Sequence, residues 1–212
     1  MFESKRRPIV VPQAEHLKLS GQMAFHWGAA GFSLPIARDS FVLGVATHDR
    51  AFGYLDTAAV GKIAPAARAA QVDAWLASAG TDLEAELVVL FHVRRLMQMP
   101  RPGPLSARLD QRIAAVAAGR DLSSFHRADT ITAFCDVVSF DICFEAEVSR
   151  SLTVATGDGA VDLQYALQGG VAVVRPWPFT CPKLEGYLLA YRSAGYPEAL
   201  DPLLLSYSIR PG

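Results

Sequence analysis

Apolar residues recur at intervals of three and four through residues 1–150, a spacing typical of amphipathic helices. Glycine or proline follows most of these stretches and indicates where each helix ends. Thr81-Asp82-Leu83-Glu84 has the form of a capping box at the start of the strongest helix. The predicted helices are Gln13–Trp27, one opened by Asp39 or Ser40 that carries His48 and Asp49, Pro65–Ala79, Asp82 to about Met99, Ser106 to Gly119, and Ser123 to about Val148.

The pattern changes after Arg150, where apolar and polar residues alternate with a period of two. Residues 161–167 alternate behind a Gly-Asp-Gly turn, and Leu203–Arg210 alternates again. We therefore predict an α+β fold. A mainly α-helical domain is expected over residues 1–150, and a small, mostly antiparallel β subdomain over 151–212. The β subdomain should pack on the helical bundle and contribute no ligand to a site.

Composition and charge exclude some classes of partner. The chain of 212 residues is 51% hydrophobic and 19% charged, with a formal net charge of −1. This balance gives no reason to expect nucleic acid or a membrane surface as partner. Apolar runs such as Leu87–Phe91 are far shorter than the roughly 20 residues of a membrane-spanning helix. Three cysteines without a CxxC motif favour reduced thiols, and so a cytoplasmic location.

The stretch Ser40–Asp56 contains the most informative residues, an adjacent His48-Asp49 pair at the end of an apolar run. Desolvating an imidazole and a carboxylate together is costly unless a partner or an ion compensates. Neighbouring side chains on a regular helix point about 100° apart, so these two converge only where the helix frays or bends. Gly53 makes such an exit plausible. The pattern predicts a metal or anion site.

Further inward-facing ionisable residues lie on other predicted helices. His92 shares a helical face with apolar residues three and four positions away, and Asp136 does the same on the last helix. Histidine and carboxylate ligands suit a divalent ion such as zinc, manganese, iron, cobalt or nickel. The predicted metal ligands are His16, His48, Asp49, His92 and Asp136.

This order of residues resembles the HD superfamily of metal-dependent phosphohydrolases. Those proteins are helical bundles with a histidine, then a His-Asp pair, then a distant aspartate, which His16, His48-Asp49 and Asp136 match. In members with a second metal, additional histidines lie between the pair and the last aspartate, and His92 is the matching residue. His126 lies in a cap-like position, so only one suitable histidine lies between the pair and Asp136, which counts against a second metal.

The chain also resembles, over nearly its whole length, an uncharacterised bacterial family catalogued as domain of unknown function 3891. That resemblance implies a bacterial protein and implies no particular reaction. The segments that carry it are Gln13-Ala14-Glu15-His16, His26-Trp27-Gly28, His48-Asp49 through Gly53 to Asp56, Phe91-His92-Val93, Asp136-Val137-Val138-Ser139 and Trp177-Pro178-Phe179.

The HD resemblance implies hydrolysis of a phosphoester, for example of a nucleotide, by a metal-activated water. Asp49 and His92 are the predicted catalytic residues, with His92 either completing the ligand set or acting on the leaving group. The expected partner is a small phosphorylated molecule. Two alternatives stay open: a non-catalytic metal- or small-ligand-binding protein with a degenerate HD-like site, and a structural domain whose polar cluster is a hydrogen-bonded core network.

Several residues near the predicted ligands have two interpretations. His92 is either a ligand or a core histidine bonded to a carbonyl group. Asp56 either orients a ligand or water, or caps the next segment. Charged side chains close in sequence to the ligands either bind a phosphate group or lie in solvent. These are Lys18, Arg50, Arg94 and Arg95.

Overall fold

A computed structural model of the chain describes residues 1–53, 56, 58–78, 80–97 and 103–212. These residues form six α-helices and seven β-strands, an α+β fold. In chain order the elements are β1 (Phe2–Glu3), β2 (Ile9–Val11), α1 (Gln13–His26), α2 (Arg38–Ala46), α3 (Pro65–Leu76), α4 (Leu83–Met97), α5 (Pro104–Ala117), α6 (Ser123–Cys143), β3 (Val148–Thr156), β4 (Gly159–Gln168), β5 (Val171–Arg175), β6 (Leu184–Arg192) and β7 (Pro202–Pro211).

The predicted helices are present, and the differences lie at their ends. Asp82, rather than Thr81, caps α4, because its Oδ1 accepts the backbone N–H of Ala85 at 3.0 Å. Helix α2 begins at Arg38 without a side-chain cap, and Ser40 instead donates to Asp82 Oδ2 at 2.9 Å. The predicted helix ends at Ala79 and Met99 lie outside the described residues.

The β-strands form one mixed sheet in the order β1-β2-β6-β7-β5-β4-β3. A mostly antiparallel C-terminal sheet was expected, and the sheet is instead mixed: β7 enters between β6 and β5, antiparallel to the first and parallel to the second. The sheet also takes in two strands from the start of the chain, because β2 pairs with β6 and β1 with β2. The proposed domain boundary at residue 150 stays a prediction.

Two glycines let α2 approach its neighbours closely. A Cβ added to Gly21 of α1 would lie 2.7 Å from the Cβ of Ala46, at the end of α2. A Cβ added to Gly44 of α2 would lie 2.6 Å from the Cβ of Val88 on α4. Real Cβ atoms do not approach so closely, so α2 lies between α1 and α4 at a spacing that only glycine permits.

A buried carboxylate connects α6 to the sheet. Asp141 accepts hydrogen bonds from the hydroxyl of Tyr165 on β4, at 2.5 Å, and from the guanidinium of Arg150 on β3, at 2.6 and 3.0 Å. This pairing compensates the cost of burying the Asp141 carboxylate. Among the described helices, none is long and apolar enough to cross a membrane.

Candidate metal centre

The His48-Asp49 pair lies in a turn just beyond the end of α2. Helix α2 ends at Ala46, and a short 3-10 helix, Arg50–Phe52, follows the pair. The backbone therefore leaves regular helical geometry at the two residues whose side chains have to converge. Gly53 has a φ of +68° and ends the short helix, a conformation that favours glycine.

The structure brings together all five predicted ligands, which we call the histidine–aspartate cluster. His16 comes from α1, the His48-Asp49 pair from the turn after α2, His92 from α4 and Asp136 from α6. The three histidine residues are fully buried, whereas the side chains of Asp49 and Asp136 are 15% and 14% exposed. His26 and His126 lie outside the cluster, His26 at the end of α1 and His126 against Phe91.

Three atoms of the cluster are spaced as the ligands of one ion would be. His16 Nε2 and His48 Nε2 are 3.1 Å apart, and Asp136 Oδ1 lies 3.3 and 3.5 Å from them. Two ligands each about 2.1 Å from an ion are about 3.0 Å apart in octahedral and about 3.4 Å apart in tetrahedral coordination. The three separations agree with these values, so the donor set and its spacing fit a divalent ion.

Hydrogen bonds at the far side of each ring direct the Nε2 lone pairs towards each other. His48 Nδ1 lies 2.7 Å from the carbonyl oxygen of Val45, which can only accept, so Nδ1 carries the proton. His16 Nδ1 lies 2.7 Å from Ser139 Oγ, whose hydroxyl donates to the carbonyl oxygen of Asp136 at 3.0 Å. Ser139 Oγ also lies 2.7 Å from Ser20 Oγ, so its hydroxyl has two acceptors besides His16 and can accept from His16 Nδ1–H. In that arrangement both Nε2 atoms carry lone pairs, which repel unless a cation or a proton lies between them.

Asp49 is held by protein donors on both oxygens. Its Oδ2 accepts from Gln13 Nε2 at 3.0 Å, and its Oδ1 lies 3.1 Å from His92 Nε2. Oδ2 is 3.7 Å from His16 Nε2 and 3.8 Å from His48 Nε2. Asp49 therefore lies slightly outside the compact triad, and it forms a second triad with His48 and His92.

Mutual stabilisation of opposite charges sets the ionisation of the cluster. Burial opposes charge on His48, but Asp49, and then Asp136, outweigh burial and raise the pKa of His48 to about 9. Burial also opposes ionisation of the two aspartates. His48 and His92 nevertheless lower the pKa of Asp49, and hydrogen bonds with His16 and His48 lower that of Asp136. When no ion is bound, protonated His48 provides the positive charge that balances the two aspartates.

The metal-free protein should lose thermal stability between pH 6.5 and 9. The folded state holds the His48 proton with a pKa of about 9, against 6.5 for an ordinary histidine, so this stabilisation is complete below pH 6.5 and lost as pH rises through 9. We expect the Tm of chelator-treated protein, followed by circular dichroism, to fall by roughly 5 °C or more. Burial lowers the pKa of His92, so protonation of His92 reduces stability as the pH falls, and it does so only below pH 6.5. If the Tm of the His48→Gln variant falls equally steeply over this pH range, groups other than His48 cause the loss of stability.

The two aspartates of the cluster line a cleft of about 460 Å³, which we call the main cleft. Asp49 and Asp136 contribute its acidic lining, and Arg68 and Arg150 its basic lining. Aliphatic and aromatic side chains form most of the remaining wall. They are Phe2, Phe52, Val60, Ile63, Leu96, Val137 and Phe140. A second cleft, of about 320 Å³, shares Gln13 and Asp49 with the main cleft.

The basic residues singled out from the sequence do not line the main cleft. Lys18 pairs with Glu15, and Arg94 pairs with Asp110. Arg50 lines the second cleft beside Trp75, and its buried Nε has no hydrogen-bond partner among the described residues. Arg95 contacts His92 and Asp129.

Neither basic residue that lines the main cleft, Arg68 or Arg150, was predicted from the sequence. Arg68 of α3 packs its guanidinium 5.7 Å from the ring centre of Phe52 and forms no ion pair with a described residue. It lies far from the histidine and aspartate motifs in sequence and sits among alanines, so no local pattern marks it. The contacts of Gln13 with Asp49 and of Ser139 with His16 were also missed, although both residues belong to segments that carry the family resemblance.

Asp56 acts as a cap, on the first helix rather than on the next segment. Its Oδ1 accepts the backbone N–H of Gln13 at 2.8 Å, at the start of α1, and pairs with the amino group of Met1 at 3.0 Å. Asp56 therefore fixes the first turn of α1, which carries Gln13 and His16, instead of contacting the cluster.

Comparisons of the chain with protein-family models, with curated proteins and with solved structures found no match. The geometry of the histidine–aspartate cluster and of the main cleft is therefore the basis for the function proposed below.

Proposed function

We propose that this protein is a metal-dependent phosphohydrolase and that its helices form an HD-like bundle. The observation that carries the proposal is the pair of histidine Nε2 atoms, 3.1 Å apart, beside Asp136, which lines the main cleft. A purely structural network has no need of a cleft over its charged groups. The order His16, His48-Asp49, Asp136 and its resemblance to the HD superfamily support the same assignment.

In this proposal His16, His48 and Asp136 hold one divalent ion, with Asp49 as the nearest additional ligand. The ion would be zinc, manganese, iron, cobalt or nickel, which accept mixed imidazole and carboxylate ligands. Such an ion polarises a phosphoryl oxygen and acidifies water. Ser139 and the carbonyl oxygen of Val45 hold the two rings so that their Nε2 atoms point inward.

The remaining residues of the main cleft bind and orient the substrate. Arg68 carries a guanidinium without an acidic partner among the described residues, and it binds the phosphate group of the substrate. The apolar wall, with Phe52 and Phe140, contacts the organic part. Asp49 stays ionised and orients the attacking water as a hydrogen-bond acceptor, since its low pKa makes it a weak base.

One observation favours a second function, metal or small-ligand binding without turnover. Both oxygens of Asp49 already contact protein donors, Gln13 and His92, so this carboxylate of the cleft lining has limited capacity for a water. A protein that kept the ion but lost hydrolysis would look the same at this point.

Metal content and turnover separate these functions. The protein is purified without chelator and analysed for transition metals, and phosphate release is measured with nucleotides and generic phosphoesters, with and without added ions. Bound metal together with turnover supports the phosphohydrolase. Bound metal without turnover across the panel favours the binding protein, and absence of metal after reconstitution favours the structural network.

Arg68→Met should raise the KM for a phosphoester about tenfold and leave kcat nearly unchanged. The guanidinium contacts the phosphate in the ground state and in the transition state alike, so its loss weakens both equally. Steady-state kinetics on the best substrate of the panel measures the change. Arg192→Met, which removes an exposed arginine paired with Asp201 on the sheet, is the control. A fall in kcat with unchanged KM would assign Arg68 to the chemical step instead.

A further inference from the structure

His92 lies in a chain of contacts that leads away from the cluster. Arg95, one helical turn further along α4, places Nη2 2.9 Å from His92 Nδ1. The Nε of the same guanidinium lies 3.1 and 3.2 Å from the two oxygens of Asp129 on α6. Asp129 therefore holds Arg95 against the far side of the His92 ring, opposite Asp49.

The contact with Arg95 determines where the His92 ring carries its proton. A guanidinium has only N–H donors, so His92 Nδ1 has to accept. A neutral imidazole with a bare Nδ1 carries its proton on Nε2, which here points at Asp49 Oδ1 at 3.1 Å. A proton on Nδ1 would instead bring two N–H groups together at 2.9 Å.

We propose that Arg95, held by Asp129, is a positioning residue that fixes His92 as a hydrogen-bond donor to Asp49. To bind metal through Nε2, His92 would have to move its proton to Nδ1, the position that Arg95 blocks. His92 therefore stays outside the ligand set, in place of the ligand role that the sequence suggested. The tautomer follows from the contacts of the chain alone, and only its consequence for the ligand set rests on the proposed function.

This arrangement limits the cluster to one ion. The second triad consists of His48, Asp49 and His92. His48 has a single free ring nitrogen, because its Nδ1 donates to Val45, and that nitrogen belongs to the triad with His16 and Asp136. With His92 Nε2 protonated, Asp49 is the remaining free ligand of the second triad. One carboxylate is too few to hold a second ion.

Nitrogen-15 NMR of the histidine rings tests both parts of the inference, with Zn²⁺ as the metal probe. In the metal-free wild type, we expect His92 to show a bare Nδ1 and a protonated Nε2. Saturating zinc should shift Nε2 of His16 and His48 and leave His92 Nε2 protonated. In Arg95→Met, zinc should displace the Nε2 proton of His92 to Nδ1, so that the ring joins the ligand set.

Two further variants control for folding and for charge. Arg94→Met removes the adjacent arginine, which pairs with exposed Asp110, and should give the wild-type His92 signals. Arg95→Met combined with Asp129→Asn avoids leaving Asp129 unpaired, and should behave as Arg95→Met does if that variant folds poorly.

The outcomes separate this inference from the proposed function. A protonated Nδ1 in the metal-free wild type overturns the inference. Loss of the His92 Nε2 proton from the wild type on zinc binding also overturns it. The same holds if Arg95→Met binds zinc and His92 still carries its proton on Nε2. If zinc does not bind at all, the proposed function fails, whereas a bare Nδ1 and a protonated Nε2 would still support the role of Arg95 in fixing the tautomer.

Discussion

Asp136→Asn should bind zinc at least about 100-fold more weakly than the wild type and lose phosphoester hydrolysis with it. Asparagine keeps the size and shape of the side chain but removes the anionic oxygen that lies 3.3 and 3.5 Å from the Nε2 atoms of His16 and His48. It also removes a carboxylate that stabilises the charged form of His48, so the metal-free variant should be less stable than the metal-free wild type. Competition with a zinc chelator measures the affinity, and circular dichroism confirms folding.

Asp110→Asn provides the matched control for this substitution. Asp110 is an exposed aspartate on α5 that pairs with Arg94, away from the cluster. Its removal should leave zinc affinity and hydrolysis at wild-type levels. Equal zinc affinity in Asp136→Asn and the wild type would remove Asp136 from the site and, with it, the proposed one-ion centre.

As the pH increases towards 9, zinc affinity should rise about tenfold per pH unit, and above pH 9 it should level off. Metal binds the neutral imidazole, and His48 holds a proton with a pKa of about 9 in the metal-free protein, so each zinc displaces that proton throughout this range. Both aspartates stay ionised and add no slope of their own. From pH 6 to pH 8 the expected gain is about 100-fold, measured by competition with a chelator of known pH dependence.

Asp49→Asn tests the cause of this profile. After the opposing effect of burial, Asp49 is the largest influence on the pKa of His48, and it raises that pKa. The variant should therefore reach its plateau at a lower pH than the wild type, whatever its absolute affinity. His126→Asn, outside the cluster, should keep the wild-type profile. A flat profile in the wild type between pH 6 and 8 would contradict the raised pKa.

The sequence predicted the helices well because their apolar faces repeat over many residues. The position of His48-Asp49 at a helix exit was also predictable, since two adjacent side chains cannot converge on a regular helix. The residues at which the helices begin were less predictable. Asp82 and Thr81 are both good capping residues, and only the hydrogen bond to Ala85 decides between them.

The sheet and part of the site depend on contacts that no local pattern records. Strand β1 has two residues, too few to show an alternation, and the β-prone sequence of β2 does not indicate its pairing with β6. The parallel pairing of β5 with β7 arises because the last strand enters the interior of the sheet, between β6 and β5. Arg68 and Arg95 owe their positions to the packing of α3 and α4 against other elements, and their sequence surroundings resemble those of any exposed arginine.

The close approach at Gly21 and Gly44 restricts how this protein can be engineered. Replacing a helical glycine by alanine is ordinarily a stabilising substitution worth about 1 kcal/mol, because it reduces the freedom of the unfolded chain. Here the added methyl group would collide with Ala46 or Val88 and push α2 away from a neighbour. The turn that carries His48 and Asp49 directly follows α2. A thermostabilising library should therefore leave these two glycines unchanged.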